Sequence, residues 1–440
     1  MKKKLLYFIG AGVVLVAIAL TLVFLLGEKG YYIKYDPEAD QNHWNTVYQM
    51  YQTSTAENDE NYCGLISGVR TGLHRKEGSL RSLVYSCTDD GMYFIAPNMG
   101  ASTDDGRTVG VSYLFFVEHD SDTVIKLCGR PDCSHDTVAC NAVLRDFTSG
   151  VSWYDSSIYS YESDVSTNKT YILNKRDPNG ANRVAVLDCR SINQGQYTSF
   201  QLPQVQNGIF MVGMGGLDEN GEEFMDLYYT KLDGSTKKLE KSVSGLCWND
   251  GEAFLHGCFI MSENNETTAW ELVQWDPDAN TEHVVATLTD MDLHYGTTKA
   301  SFWGAKNGLA HYQGQVLKIN YPNCDTEVLF ETGITEEHTT RFFPDCLAIY
   351  VKGENTPTIS FYRYDGEFLG KAEINFPTNS NGSIIAVESR DRIYLRASLG
   401  AFLPTHYIDK SEFGSGTIQI HELQYPDLTE EEKTFIFTVN

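Results

Sequence analysis

Three thiols and one imidazole fall close together in this chain, in Leu127-Cys128-Gly129-Arg130-Pro131-Asp132-Cys133-Ser134-His135-Asp136 and on to Cys140-Asn141-Ala142. Cysteine thiolate and histidine nitrogen are the ligands that zinc takes as a tetrahedral set. Gly129 and Pro131 would turn the chain so that Cys128, Cys133, His135 and Cys140 converge. The spacing, C-x4-C-x-H-x4-C, is not that of a standard zinc knuckle. Outside the cytoplasm the same thiols support a second reading, a disulfide such as Cys128 with Cys140 that leaves Cys133 spare, and free thiols are a third. Under the metal reading the ion is structural, because four protein ligands leave no open position for water.

Other chemistry leaves little trace. There is no G-x-S-x-G elbow, no H-E-x-x-H helix, no Walker loop and no dinucleotide fingerprint. Asp218-Glu219-Asn220-Gly221-Glu222-Glu223 offers oxygen ligands outside the EF-hand pattern and reads as an exposed hairpin loop. The remaining cysteines, Cys63, Cys87, Cys189, Cys247, Cys258, Cys324 and Cys346, are scattered and several sit beside apolar strand residues. They read as small buried hydrophobes, a usage that suits an exported bacterial protein from a reducing niche. A net charge of -25 argues against nucleic acid as a partner and against a domain lying flat on anionic lipid.

What must position the cluster is a repeated β unit. Leu114-Phe115-Phe116-Val117 runs into Asp120-Ser121-Asp122, and Tyr171-Ile172-Leu173 into Asp177-Pro178-Asn179-Gly180. Leu227 to Leu232 runs into Asp233-Gly234, Leu272 to Trp275 into Asp276-Pro277-Asp278, and Leu317 to Ile319 into Pro322-Asn323. Phe361 to Tyr364 runs into Asp365-Gly366, and the seventh unit uses Ile418-Gln419-Ile420. Such turns supply the positive φ of tight hairpins. Shorter apolar strands precede most of them, among them Gly91 to Phe94, Ser157 to Tyr159, Gly208 to Phe210, Gly308 to Ala310 and Arg392 to Tyr394. A unit persisting at blade-like spacing predicts an all-β fold, a β-propeller with seven blades as the best count. With 26 Tyr, 22 Phe, 37 Gly and only 12 Pro, the composition suits strands and turns. Glu430-Glu431-Glu432 is expected in a loop. The apolar run Thr434 to Phe437 is expected as a strand that closes the ring by pairing near Leu83-Val84-Tyr85.

Ahead of the propeller, Leu5 to Gly27 is uncharged and follows Lys2, Lys3 and Lys4. At about 1.5 Å per residue a helix of that length crosses a bilayer, and the lysines keep its N-terminus in the cytoplasm. The competing reading is a signal peptide cleaved after Ala17-Ile18-Ala19, which would leave Leu20 to Leu26 as an apolar tail. The expected organisation is therefore a transmembrane signal anchor in 1–27, an extracellular stalk in 28–80 and the propeller in 81–440. Within the stalk, Trp44, Val47, Tyr48 and Tyr51 would line one face of a short helix. The expected location is the cell membrane, single-pass, with the propeller outside.

The Cys/His segment, with Tyr113-Leu114-Phe115-Phe116 before it and Tyr407-Ile408-Asp409-Lys410-Ser411 and Gly414 to Gly416 near the end, resembles a group of uncharacterised membrane-anchored or lipid-anchored β-propeller proteins of Gram-positive anaerobic bacteria. The resemblance implies a propeller and an exported location, and no defined activity. A lipobox cysteine, found in the lipid-anchored members, is missing here.

Two functions follow. The first and favoured one is a binding or scaffold module for a protein or glycan, with Trp153, Trp248 and Trp303 as candidate anchors, although blade core is the commoner fate of a Trp. The second is an extracellular enzyme on a carbohydrate or peptide, using carboxylates at the channel mouth that sequence does not single out.

Overall fold

Tyr, Phe, Val and Ile dominate the apolar positions of this chain, and such residues pack well on a pleated surface. Strands form wherever they cluster. The computed structural model describes residues 73–74 and, with short interruptions, residues 85–437. Seven antiparallel sheets follow one another along the sequence: blade 1 over 85–126, blade 2 over 150–188, blade 3 over 197–241, blade 4 over 248–288, blade 5 over 300–331, blade 6 over 338–373 and blade 7 over 385–422. In each, strands that are neighbours in sequence are neighbours in the sheet. The first strands of adjacent blades lie side by side, as Tyr85–Cys87 with Gly150–Tyr154 and Ala300–Trp303 with His338–Phe342. The first strands therefore line the centre and the fourth strands form the rim, the arrangement of a propeller.

Six of the expected hairpins are the turns between third and fourth strands in blades 1 to 6. Ring closure can be read from the core. Seven buried apolar clusters occupy the seven blade-to-blade interfaces, from Tyr93, Leu114 and Ile158 between blades 1 and 2 to Phe94, Phe115 and Tyr394 between blades 7 and 1. Each blade buries both faces against its neighbours, so the stability of one depends on the others.

Two expectations fail at the C-terminus. Glu430–Phe437 is an α-helix, not a loop and a strand. The ends of the ring share no blade, because blade 1 completes its own sheet. After its third strand, His406–Asp409, the chain leaves blade 7 and adds Gly416–Thr417 in parallel to the edge of blade 6. It then returns as His421–Glu422 to finish blade 7. Next it crosses to blade 1, where Gln424 pairs with Thr123, the Val124 N–H donates to the Gln424 carbonyl (2.8 Å) and the Lys126 N–H donates to Asp427 Oδ2 (2.8 Å). The helix then offers Glu432 to the Lys126 ammonium at 3.1 Å. The physical reason for closure by a clasp is that Glu430–Phe437 satisfies its backbone groups within a helix and is not free to pair as a strand beside Tyr85–Cys87, which already pairs with Met92 to Phe94. Buried His119 adds to it, bridging the Thr88 carbonyl (Nε2, 2.9 Å) and Asp391 of blade 7 (Nδ1, 2.7 Å).

Among the described residues no helix is long and apolar enough to cross a membrane. Leu5 to Gly27 and the helix expected around Trp44 to Tyr51 lie outside the described residues. Leu73–His74 pairs in parallel with Ala300–Trp303 of blade 5.

Candidate metal centre

The outer strand of blade 1 is split, and the Cys/His segment is the chain that runs between its halves. Val124–Lys126 pairs with Phe115 to Val117 of the third strand, while Val143–Leu144 pairs with Ser112 and Tyr113 of that same strand. Leu114 holds both ends of the excursion: its carbonyl accepts from Leu127 N–H (2.9 Å) and its N–H donates to the Ala142 carbonyl (2.8 Å). A loop pinned at both ends to one residue must double back on itself. Its own bonds then fold it, with Cys133 N–H on the Arg130 carbonyl (3.3 Å) and Cys140 N–H on the Thr137 carbonyl (3.0 Å). Ser102, on the second strand, takes the middle of the loop in both directions: its N–H donates to the Asp136 carbonyl (2.7 Å) and its carbonyl accepts from Val138 (3.0 Å).

The turn residues are dictated by close approach. Gly129 has φ +67°, and a Cβ there would stand 2.8 Å from the Ala181 Cβ of blade 2. Gly180 has φ +81°, and its Cβ would stand 2.4 Å from the Leu127 carbonyl oxygen. The 177–180 hairpin of blade 2 thus packs backbone to backbone against the start of the excursion. His135 takes φ +58°, and its carbonyl is held by the Tyr113 hydroxyl at 2.8 Å.

This folding brings all four expected residues together. The ligand atoms of Cys128, Cys133, His135 and Cys140 lie within 4.8 Å of one another, and the set can hold a metal ion. Zinc–sulfur bonds of about 2.3 Å put tetrahedral sulfurs roughly 3.8 Å apart, so a modest contraction makes a coordination shell. Cys128, Cys133 and Cys140 are free thiols, with no bond between Cys128 and Cys140. N–H donors already point at the sulfurs: Ala142 N–H at Cys140 Sγ (3.4 Å), Arg130 N–H at Cys128 Sγ (3.4 Å) and Arg130 Nη2 at Cys133 Sγ (3.1 Å). Such outer donors stabilise thiolate and orient ligands. His135 Nδ1 stands 3.4 Å from Cys140 Sγ.

Burial pushes the Cys140 thiol up to about 12 and raises Cys128 as well. At Cys133, burial is outweighed by hydrogen bonds from the His135 backbone and the Arg130 guanidinium, and the thiol falls below its usual range. Burial lowers His135, keeping its imidazole neutral and able to ligate. A cation that replaces these thiol protons offsets the cost of burying thiolates, which makes its affinity rise with pH.

A buried ion pair in blade 2 supports the return of the loop. Arg176 and Glu162 are 0% and 1% exposed, with Nη2 to Oε1 at 2.9 Å. Arg176 Nε also donates to the Asn141 carbonyl (3.3 Å), and the Asn141 amide donates to the Cys128 carbonyl (3.0 Å). Sequence reading passes over this pair because its members lie on different strands; Glu162 and Arg176 face each other only once the sheet is formed.

The candidate Trp anchors separate. Trp303 is fully buried against Trp270 (centroids 4.6 Å apart) and is core, not a ligand anchor. Trp153 is partly buried and stacks on Tyr93 at 5.7 Å. Trp248 lies on the first strand of blade 4. Residues 218–222 of the oxygen-rich loop lie outside the described residues. Cys258, which sequence reading groups with the scattered thiols, proves to be hydrogen-bonded to His256; the i, i+2 spacing of His256-Gly257-Cys258 on an aromatic strand was the available signal.

No family model matches the chain, and no curated protein matches its sequence. Among solved structures it is similar to a puromycin-hydrolyzing peptidase of Mycobacterium tuberculosis, at 10% identity and a TM-score of 0.43, over 82% of this chain and 55% of that one. It is also similar to an acylaminoacyl peptidase of Pyrococcus horikoshii, at 9% identity and a TM-score of 0.42, over 80% of this chain and 54% of that one. The β-propeller domain of the Trilobed protease from Pyrococcus furiosus matches at 10% identity and a TM-score of 0.31, over 51% of this chain and 70% of that one. The chain spans about half the length of the two peptidases.

Proposed function

We propose that this chain is a β-propeller binding or scaffold module for a protein or glycan, displayed outside the cell on a single-pass anchor formed by Leu5 to Gly27. In this reading zinc fills the Cys128, Cys133, His135 and Cys140 set as a structural ion. The observation that carries it is the place and completeness of that set: four protein ligands, on the rim of blade 1, tied at both ends to Leu114. A filled tetrahedron has no position for a reacting water, so the ion serves architecture and leaves the faces of the ring to recognition. The uncharged run behind three lysines supports the anchor. This reading puts the chain beside the membrane-anchored propellers that its Cys/His segment resembles.

Three measurements test it. Protease added to intact cells should remove the propeller; protection, or release of a form beginning near Leu20, refutes the anchor. The purified protein should carry about one zinc per chain and Cys133→Ser should lose it. A zinc-free protein whose mass is lighter by a pair of hydrogens before reduction establishes the disulfide instead. A glycan array and pull-down with the propeller should return a saturable ligand released unchanged. Cleaved glycan or peptide would assign the chain to the enzymes.

A further inference from the structure

Blade 4 carries a second chemical cluster, independent of the metal centre. His256 and Cys258 are two residues apart on the strand Phe254–Met261 and so project from one face. Gly257, between them, faces the other way under the Trp270 ring, where a Cβ would stand 2.5 Å from Trp270 Nε1. Cys258 Sγ lies 3.5 Å from His256 Nδ1, and His256 Nε2 lies 2.5 Å from Glu282 Oε1 on the fourth strand, Thr281–Leu288. A carboxylate at Nε2 favours the tautomer with its hydrogen there, which leaves Nδ1 as the nitrogen toward the thiol; the Gly257 backbone also hydrogen-bonds the imidazole. His256 is 3% exposed, while Cys258 is partly exposed at the blade surface.

We propose that Cys258 is a nucleophilic thiol, served by His256 as general base and by Glu282 as the carboxylate that positions the base, and that it accepts an acyl group from an activated ester. Thiol and imidazole rest as a neutral pair. Burial, then the carboxylates of Glu282 and of Glu271 directly across the ladder, hold the thiol above its usual range, and burial draws His256 down. That is the resting form from which a general base acts: proton transfer accompanies attack and does not precede it. As Sγ bonds to the acyl carbon, its proton passes to Nδ1, and the resulting imidazolium keeps Nε2–H on Glu282. The bond from the acyl carbon to the leaving oxygen then breaks and the proton goes to that oxygen. The products are a Cys258 thioester and a free alcohol or phenol, with no oxidant or reductant required.

The test uses the full-length chain with p-nitrophenyl acetate, following p-nitrophenolate release and the acetylated residue by mass spectrometry. Cys258 should be acetylated first. Cys258→Ser keeps nine of the ten cysteines in the sequence and should abolish the early release. His256→Asn should slow it on the order of 100-fold at neutral pH, with unchanged circular dichroism. Glu282→Gln should slow it less and move the inflection of the pH–rate profile to lower pH, and Glu282→Asp should restore most of the rate. Equal release from Cys258→Ser and the unaltered chain, or an undiminished rate in folded His256→Asn, overturns the proposal. If the His256 variant does not fold, the unaltered chain decides: an inflection in the imidazole range supports the assignment, and a rate that only follows thiol ionisation overturns it.

Discussion

Glu162→Gln should destabilise the propeller by about 3 to 4 kcal/mol at neutral pH, because it leaves the Arg176 guanidinium in a dry interior without its counter-charge. Burial opposes both charges of this pair. At Glu162 it is outweighed by Arg176 and Arg183 and by hydrogen bonds from Arg176 and Ser160, so the carboxyl is held at about 2 instead of 4.5. At roughly 1.4 kcal/mol per pH unit that displacement is worth about 3 kcal/mol, within reach of the 3 to 5 kcal/mol usual for breaking a buried pair. Burial lowers Arg176 as well, yet a guanidinium stays protonated in proteins. Since the folded carboxyl titrates below the unfolded one, its stabilisation is complete above about pH 4.5 and is lost as pH falls towards 2. Urea unfolding at pH 7 and pH 3 should therefore show the gap between the two proteins shrinking with acid. Because Arg176 also holds the Asn141 carbonyl at the Cys/His loop, chelator competition on the proposed zinc-loaded protein should strip the ion faster from Glu162→Gln. A double Glu162→Met, Arg176→Met variant should recover most of the lost stability. A loss under about 1 kcal/mol in the single variant, or a double variant no better than it, refutes the reasoning.

His311 of blade 5 contacts His338 Nε2 (2.7 Å) through Nδ1 and Thr332 Oγ1 (2.9 Å) through Nε2, and burial followed by His338 lowers it from 6.5 to about 4. The unfolded chain takes up that proton first, so stability should fall by about 2 kcal/mol between pH 7 and pH 5, and His311→Gln should flatten the dependence measured by urea midpoints. Gly180→Ala should cost about 2 kcal/mol or more and weaken zinc retention, since its Cβ would meet the Leu127 carbonyl at 2.4 Å at a φ of +81°. Calorimetry and metal analysis check both effects. Deleting Ile418 to Asn440 removes the last strand of blade 7 and the contacts with blade 1, and should abolish cooperative unfolding of the ring. A sharp, native-like thermal transition in the truncated chain would contradict this.

Blades were legible in the sequence because their signals are local. Asp233-Gly234 or Asp365-Gly366 after an aromatic strand needs no distant partner to be a turn. The clustering of the four candidate ligands was legible for the same reason, since they are close neighbours in one loop. The C-terminal helix departs from the expected loop and strand although its signal is present: Thr429-Glu430-Glu431-Glu432 is a capping box. Thr429 N–H donates to Glu432 Oε2 (2.7 Å) and Glu432 N–H donates to Thr429 Oγ1 (3.2 Å). The apolar run Thr434 to Phe437 outweighed it. Closure was hidden for another reason, since the pairing of Lys126 with Asp427 and Glu432 joins residues far apart in sequence. Trp303 shows the limit of residue type, because an anchor and a core Trp look alike until burial is known.

Among the described residues each blade's own strands come from one stretch of chain, while Leu73–His74 on blade 5 and Gly416–Thr417 on blade 6 cross between sheets. Interrupting the chain in a loop between two other blades, and joining the chain ahead of residue 73 to the chain after 437 by a linker, would keep each blade's own strands on one piece of chain. The order of blades would survive such a circular permutation while the starting point moved. The seam between blades 7 and 1 is different in kind, held by His119 on Asp391, Gln424 on Thr123 and a helix laid over Lys126 instead of a shared ladder. That seam also buries the apolar cluster of Phe94, Phe115 and Tyr394, beside the blade whose split outer strand carries the Cys/His loop.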